Sequence, residues 1–270
     1  MQECSAYKEN KMSQLKLKQG TDAEIADSNR KSLYKVGAAA ALIVVLVALI
    51  EIIITFFPGG STSPETVIDW FTLFQDNWFL GLRNLGLLNI VLTVLGIPTF
   101  FALYAAHRRV NQVYAALAMI ISFIGIAVFL ATNRAFPMLE LSSQYAAATT
   151  DAQRSMLAAA GQAMLSVGKS HTPGTFIGFL LSEVAGITIS VVMLRSKIFS
   201  KVTAYAGMLG FALLLIFEIC SSFVPVLFDM VMIIAMGGGI LSTTWYILIA
   251  RRLFQLGTSE EKTLSQYDQS

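Results

Sequence analysis

From Val36 onward the chain alternates between long blocks of Ala, Val, Leu, Ile and Phe and shorter polar stretches. A bilayer's hydrocarbon core is about 30 Å thick and takes roughly 20 apolar helical residues to cross. Six blocks reach that length: Val36 to Phe57, closed by Pro58-Gly59-Gly60; Asn84 to Ala106, with Pro98 inside it; Gln112 to Thr132; a block opening at Thr172-Pro173 and ending near Leu194; Val202 to Phe223; and one from Pro225 to just before Arg251-Arg252. The pattern predicts an all-α fold, a polytopic membrane bundle of six transmembrane helices. The domain reading is a flexible tail over 1–32, a transmembrane unit over 33–256 and a second tail over 257–270.

The polar stretches add shorter elements. Ser63-Pro64-Glu65 is a helix-start signal, and Ile68, Phe71, Phe74 and Trp78 follow at helical spacing. They predict a short helix on the outer surface with its aromatics in the interface. The longest connection, about Asn133 to His171, contains Asp151-Ala-Gln-Arg154 and then Met156, Ala160 and Met164. That spacing predicts another amphipathic helix, packed at the bilayer surface, with a lid over a cavity as the alternative. Phe56, Phe57, Trp70, Trp78 and Phe79 are expected near one interface, and Tyr34, Tyr205, Trp245 and Tyr246 near the other.

Charge sets the orientation. Lys8, Lys11, Lys16, Lys18, Arg30, Lys31 and Lys35 precede the first span; Arg108 and Arg109 lie between spans two and three; Arg195, Lys197 and Lys201 frame the turn between four and five; Arg251, Arg252 and Lys262 follow the sixth. Only Arg83, Arg134, Arg154 and Lys169 fall on the other side. The positive-inside rule then puts both termini in the cytoplasm, in a plasma membrane, with the first span a retained signal-anchor.

Composition agrees: 55% of residues are hydrophobic and 13% charged, against about 25% charged in soluble domains, and mean hydropathy is +0.65. A net charge of +2 carries no basic excess that calls for nucleic acid, so the expected partner is the lipid bilayer. Cys4 and Cys220 lie in a polar tail and an apolar block, which supports neither a disulfide nor thiolate metal chemistry. HExxH, GxSxG and P-loop patterns are missing, no cofactor is implied, and no catalytic residue is assigned.

Ionisable groups inside the bilayer are costly and are therefore candidates by default. They are Glu51, Glu183, Glu218 and Asp229, joined by the polar Asn84 and Asn89. Arg83 and Arg134, at outer helix ends, are possible charge partners. The acids are expected either to be helix glue, bonded to Ser, Thr or Asn on neighbouring helices, or to converge on a proton, metal ion or cationic solute. His107 and His171 fall at opposite membrane edges and are expected at the surface. Gly207, Gly210 and Gly237–Gly239 are expected to admit close helix approach, with a hinge at the triple glycine as the alternative.

Three stretches carry a resemblance: Leu33-Tyr-Lys-Val-Gly37, Ala102-Leu-Tyr-Ala-Ala-His-Arg-Arg-Val-Asn111, and Met193-Leu-Arg-Ser-Lys-Ile-Phe-Ser-Lys-Val202 before an Ala/Gly-rich span. Together the chain resembles, over about Leu33 to Leu256, the bacterial membrane proteins catalogued as domain of unknown function forty-three eighty-six. The resemblance implies about six spans in a bacterial plasma membrane and no activity. The functional expectation is a non-enzymatic membrane protein of structural, sensory or accessory role; the alternative is a small-solute or cation/proton transporter using the intramembrane carboxylates. A transporter requires Glu51, Glu183 and Glu218 to face one interior, whereas a packed bundle points them at separate interfaces.

Overall fold

The computed structural model describes residues 2–56, 64–167 and 171–258. Its helices are α1 Gln2–Phe56, α2 Val67–Asp76, α3 Trp78–Asn84, α4 Leu87–His107, α5 Gln112–Thr132, α6 Ala135–Ala147, α7 Asp151–Ser166, α8 Phe176–Arg195, α9 Lys201–Phe223 and α10 Phe228–Thr258, with a 3₁₀ turn at Pro225–Leu227. Among the described residues there is no strand. Six helices (α1, α4, α5, α8, α9 and α10) are long and apolar enough to cross a membrane. The Pro58-Gly59-Gly60 stop, Phe57, Ser63, Lys169, Lys262 and the tail beyond Thr258 lie outside the described residues.

Each spanning helix packs on the next in the chain, and the last returns to the first: α1 on α4, α4 on α5, α5 on α8, α8 on α9, α9 on α10 and α10 on α1. The bundle is a closed ring. Short connections make α4 and α5, α8 and α9, and α9 and α10 antiparallel neighbours, and glycines bring helices close. A Cβ at Gly37 would strike Ala102 on α4, and one at Gly210 would lie 2.8 Å from the Ser242 backbone nitrogen on α10. Large apolar side chains such as Ile53, Val113 and Ile233 point outward, as hydrocarbon solvent requires.

The ring is filled unevenly. At the end holding the α4–α5 and α8–α9 turns, Leu103, Ile189, Met193, Trp245, Ile249 and Leu253 form a closed core. At the opposite end α2, α3, α6 and α7 build a cap around a second core of Trp70, Phe71, Phe74, Leu82 and Met138. Ser142 Oγ donates to the Phe71 carbonyl at 2.9 Å, and Arg134 Nη1 donates to the Leu165 carbonyl at 2.9 Å.

Several expectations change here. The α2 aromatics bury against α6 instead of facing the interface, because α6, unforeseen in the sequence, supplies a protein surface for them; Trp78 and Phe79 stay exposed. The α2 start falls at Thr66, whose hydroxyl accepts from the Asp69 N–H while Asp69 accepts from the Thr66 N–H, a reciprocal capping box. Those Thr66 hydrogen bonds hold the Asp69 carboxyl below the usual carboxylate range. On α7, Met156 is exposed, and Gly161 and Met164 face the cap instead. Thr172-Pro173 forms a turn ahead of α8, whose cap position is Thr175. Helix runs through both expected tail boundaries: α1 is helical from Gln2, since its Lys-, Glu-, Gln- and Ala-rich start holds no proline, and α10 continues past Arg251-Arg252 to Thr258.

Candidate functional site

A ring of six helices, each about 8–10 Å from its neighbours, leaves at its centre space that only inward side chains can fill. In the half nearer the cap they do not fill it. A cavity of about 240 Å³ is lined from all six spanning helices, with Asn89 and Thr93 on α4, Ser122 on α5, Ser182 and Glu183 on α8, and Tyr246 on α10 supplying polar groups. A second cavity of about 270 Å³ lies among α8, α9 and α10, bounded by His171, Phe179, Glu183, Phe217, Glu218 and Phe228. Phe179, Glu183 and Leu214 line both. Glu183 therefore stands on the shared wall.

The carboxylates differ in their partners. Glu218 is 2% exposed; its Oε2 meets His171 Nδ1 at 2.5 Å, and its Oε1 accepts from Ser222 Oγ at 3.3 Å. Glu183 lies within range of the Glu218 charge, and Tyr246 within range of Glu183, yet Glu183 Oε2 is shielded from solvent with no hydrogen-bond partner. Two carboxylates in one apolar niche call for a proton or a cation between them. His171 sits between two rings, with centroids 4.6 Å from Phe179 and 4.8 Å from Phe217. Among the described residues, no three His, Cys, Asp or Glu side chains form a group able to hold a metal ion.

The other candidates separate from this pair, so the common interior of three glutamates expected of a transporter is not formed: Glu183 and Glu218 meet and Glu51 stands apart. Glu51 lines neither cavity; its Oε2 is buried without a hydrogen bond, within reach of the Arg83 charge. Arg83 also donates to Asn84 Oδ1 at 3.1 Å, and Asn84 closes α3 instead of entering α4. Arg134 serves the cap, not an intramembrane acid, because it reaches the Leu165 carbonyl at the α7 terminus. Asp229 is exposed on the first turn of α10, its side chain turned off the ring axis. Asn89 does face the central cavity.

Both histidines depart from the surface expectation. His107 is completely buried, stacked on Phe199 at 5.2 Å with Nδ1 2.8 Å from the Leu103 carbonyl and Nε2 unpaired. The α8–α9 turn folds back over it. His171 turns inward to join Glu218. The sequence held one usable signal: His171 lies five residues before α8 begins and Glu218 five before α9 ends, which places both near one end of the ring. Trp245 and Tyr246 point into the ring, not at an interface.

A closed ring of six apolar helices with a helical cap defines a multi-pass α-helical membrane protein. The chain belongs to the family described as Domain of unknown function (DUF4386), which matches residues 79–250, from α3 into α10. No curated protein and no solved structure matches it.

Proposed function

We propose that this protein is a carrier for a small cation or for protons, with Glu183 and Glu218 as the binding carboxylates. The observation that carries the reading is the placement of Glu183, whose carboxyl stands on the wall shared by two cavities with Oε2 shielded and without a hydrogen-bond partner. Helix glue would be hydrogen-bonded to a neighbouring helix, and Glu183 Oε2 is not. Burying such a group without a partner is costly, and a transported cation or proton would supply one. The reading involves no covalent chemistry. It sets the protein in a plasma membrane with both termini cytoplasmic, as the Lys and Arg distribution favours, and its standing partner is lipid.

Flux in proteoliposomes tests it, using proton, sodium and potassium gradients. Glu183→Gln and Glu218→Gln are expected to lower flux at least about tenfold, the scale on which lost charge pairing acts, whereas Asp229→Asn leaves it unchanged. Absence of flux above empty liposomes for every cation, with all variants folded, would return the protein to a structural, sensory or accessory role.

A further inference from the structure

Resting on the carrier reading, we propose that the niche filled by His171 is the seat of a small organic ammonium ion, whose arrival displaces the imidazole. The imidazole already makes the contacts such a head group would make. Its centroid is 4.6 Å from that of Phe179 and 4.8 Å from that of Phe217, both inside the roughly 6 Å over which a cation is attracted to an aromatic face. Its Nδ1 meets the Glu218 carboxylate at 2.5 Å. Glu183, with Oε2 unpaired, lines the same cavity and offers a second carboxyl arm. His171 is thus a tethered stand-in for the ligand.

The stand-in is removable. His171 lies on the connection into α8, its side chain is 36% exposed, and it has a φ of 64°. Non-glycine residues seldom adopt that left-handed backbone, His, Asn and Asp doing so more readily than others. The rings and Glu218 hold the connection in this conformation, and a ligand that takes over those contacts frees it to relax.

The walls favour an organic cation over an inorganic one. Hard divalent cations need about six or more oxygen ligands, and beyond the two carboxylates this cavity is lined by Phe179, Leu214, Phe217, Phe228, Met232 and Ala235. Those side chains suit an alkyl body. The cavity of about 270 Å³ equals roughly nine liquid-water volumes, which admits a short-chain amine.

Isothermal titration of the full chain in nanodiscs with n-butylammonium tests the assignment, against 1-butanol as the uncharged match and sodium and calcium chloride as inorganic competitors. The ammonium is expected to bind saturably, with the alcohol and both inorganic ions at least about tenfold weaker. Glu183→Gln weakens it about tenfold and Phe179→Leu, which keeps the apolar volume, about fivefold, in line with a desolvated cation–π contact. His171→Ala tightens it, because a competitor is gone. Butylammonium binding no tighter than butanol, or weakened by His171→Ala, overturns the proposal. Saturable ammonium binding without flux keeps the seat and removes the carrier; glutamate-dependent flux of protons or metal ions without ammonium binding keeps the carrier and removes this seat.

Discussion

His107 shows how far a residue's role depends on what folds over it. Its side chain ends α4 beside Arg108 and Arg109, a context that reads as a membrane edge, yet Phe199 stacks on it and excludes solvent. Nδ1 is served by the Leu103 carbonyl, while Nε2 has no partner. An unsatisfied buried polar atom costs about 1–3 kcal/mol. His107→Phe keeps the ring stack and removes that cost, so it is expected to hold or raise the melting temperature in detergent; a fall of several degrees would mean that Nε2 is bonded after all. Glu183 Oε2 likewise lacks a partner at the place where two cavities meet, and under the proposed carrier reading Glu183→Gln is expected to lower flux. Arg134 and Arg83 look equivalent in sequence, but one is consumed by a cap carbonyl and the other stands by Glu51.

Among the elements, α9 and α10 make the tightest use of small residues. A Cβ at Gly207 would collide with Ser190 Oγ and lie 2.5 Å from Trp245 Cδ1, and one at Gly238 would lie 2.9 Å from Leu214. At Gly239 it would meet nothing within 4 Å, and at Gly237 only Leu213 at 3.8 Å. The triple glycine therefore acts in packing through its middle member alone. Overpacking a tight site costs about 1–3 kcal/mol, so Gly207→Ala is expected to lower thermal stability. Gly239→Ala is expected to be neutral or slightly stabilising, by up to about 1 kcal/mol from helix propensity. Equal melting temperatures for the two variants would contradict this packing. Pro98 leaves α4 unbroken, although its missing N–H deprives the Val94 carbonyl of a helical donor; the Pro98 carbonyl lies 3.0 Å from where a Gly37 Cβ would stand, so the absent side chain lets α1 approach α4 closely there. The α5–α6 break is made by Asn133, whose Oδ1 accepts from the Ala135 N–H at 2.9 Å and ends the helix in an extended residue.

For the whole molecule, the consequence of ring closure is a solid half and a hollow half. Alanine, aromatic and aliphatic side chains from all six helices close the end that carries the basic turns, while apolar side chains interspersed with Asn89, Thr93, Ser122, Ser182 and Glu183 line a cavity in the other. The cap covers the hollow end with a core of its own. If the basic turns face the cytoplasm, the cavities open towards the outside beneath the cap. Single cysteines at exposed Gln153 in the cap and Val110 in the α4–α5 turn test this, in a Cys4→Ser, Cys220→Ser background. The Gln153→Cys variant is expected to react with an impermeant maleimide in intact cells, and the Val110→Cys variant only after permeabilisation. The reverse pattern would invert the topology.

Hydropathy by itself determined the six spans and the all-α class, because a hydrocarbon solvent leaves the backbone no alternative to helix over about 20 residues. It also marked the acids as the costly groups. Which of them meet was decided by tertiary structure alone: Glu218 and His171 are 47 positions apart, and Glu183 and Glu218 lie on different helices whose rotation about their axes is set by packing. Spacing within a helix states a depth and not a direction when every face is apolar. The same limit hid the cap, since α2 bears apolar residues that suit an interface as well as a protein core, and only the presence of α6 decides between them.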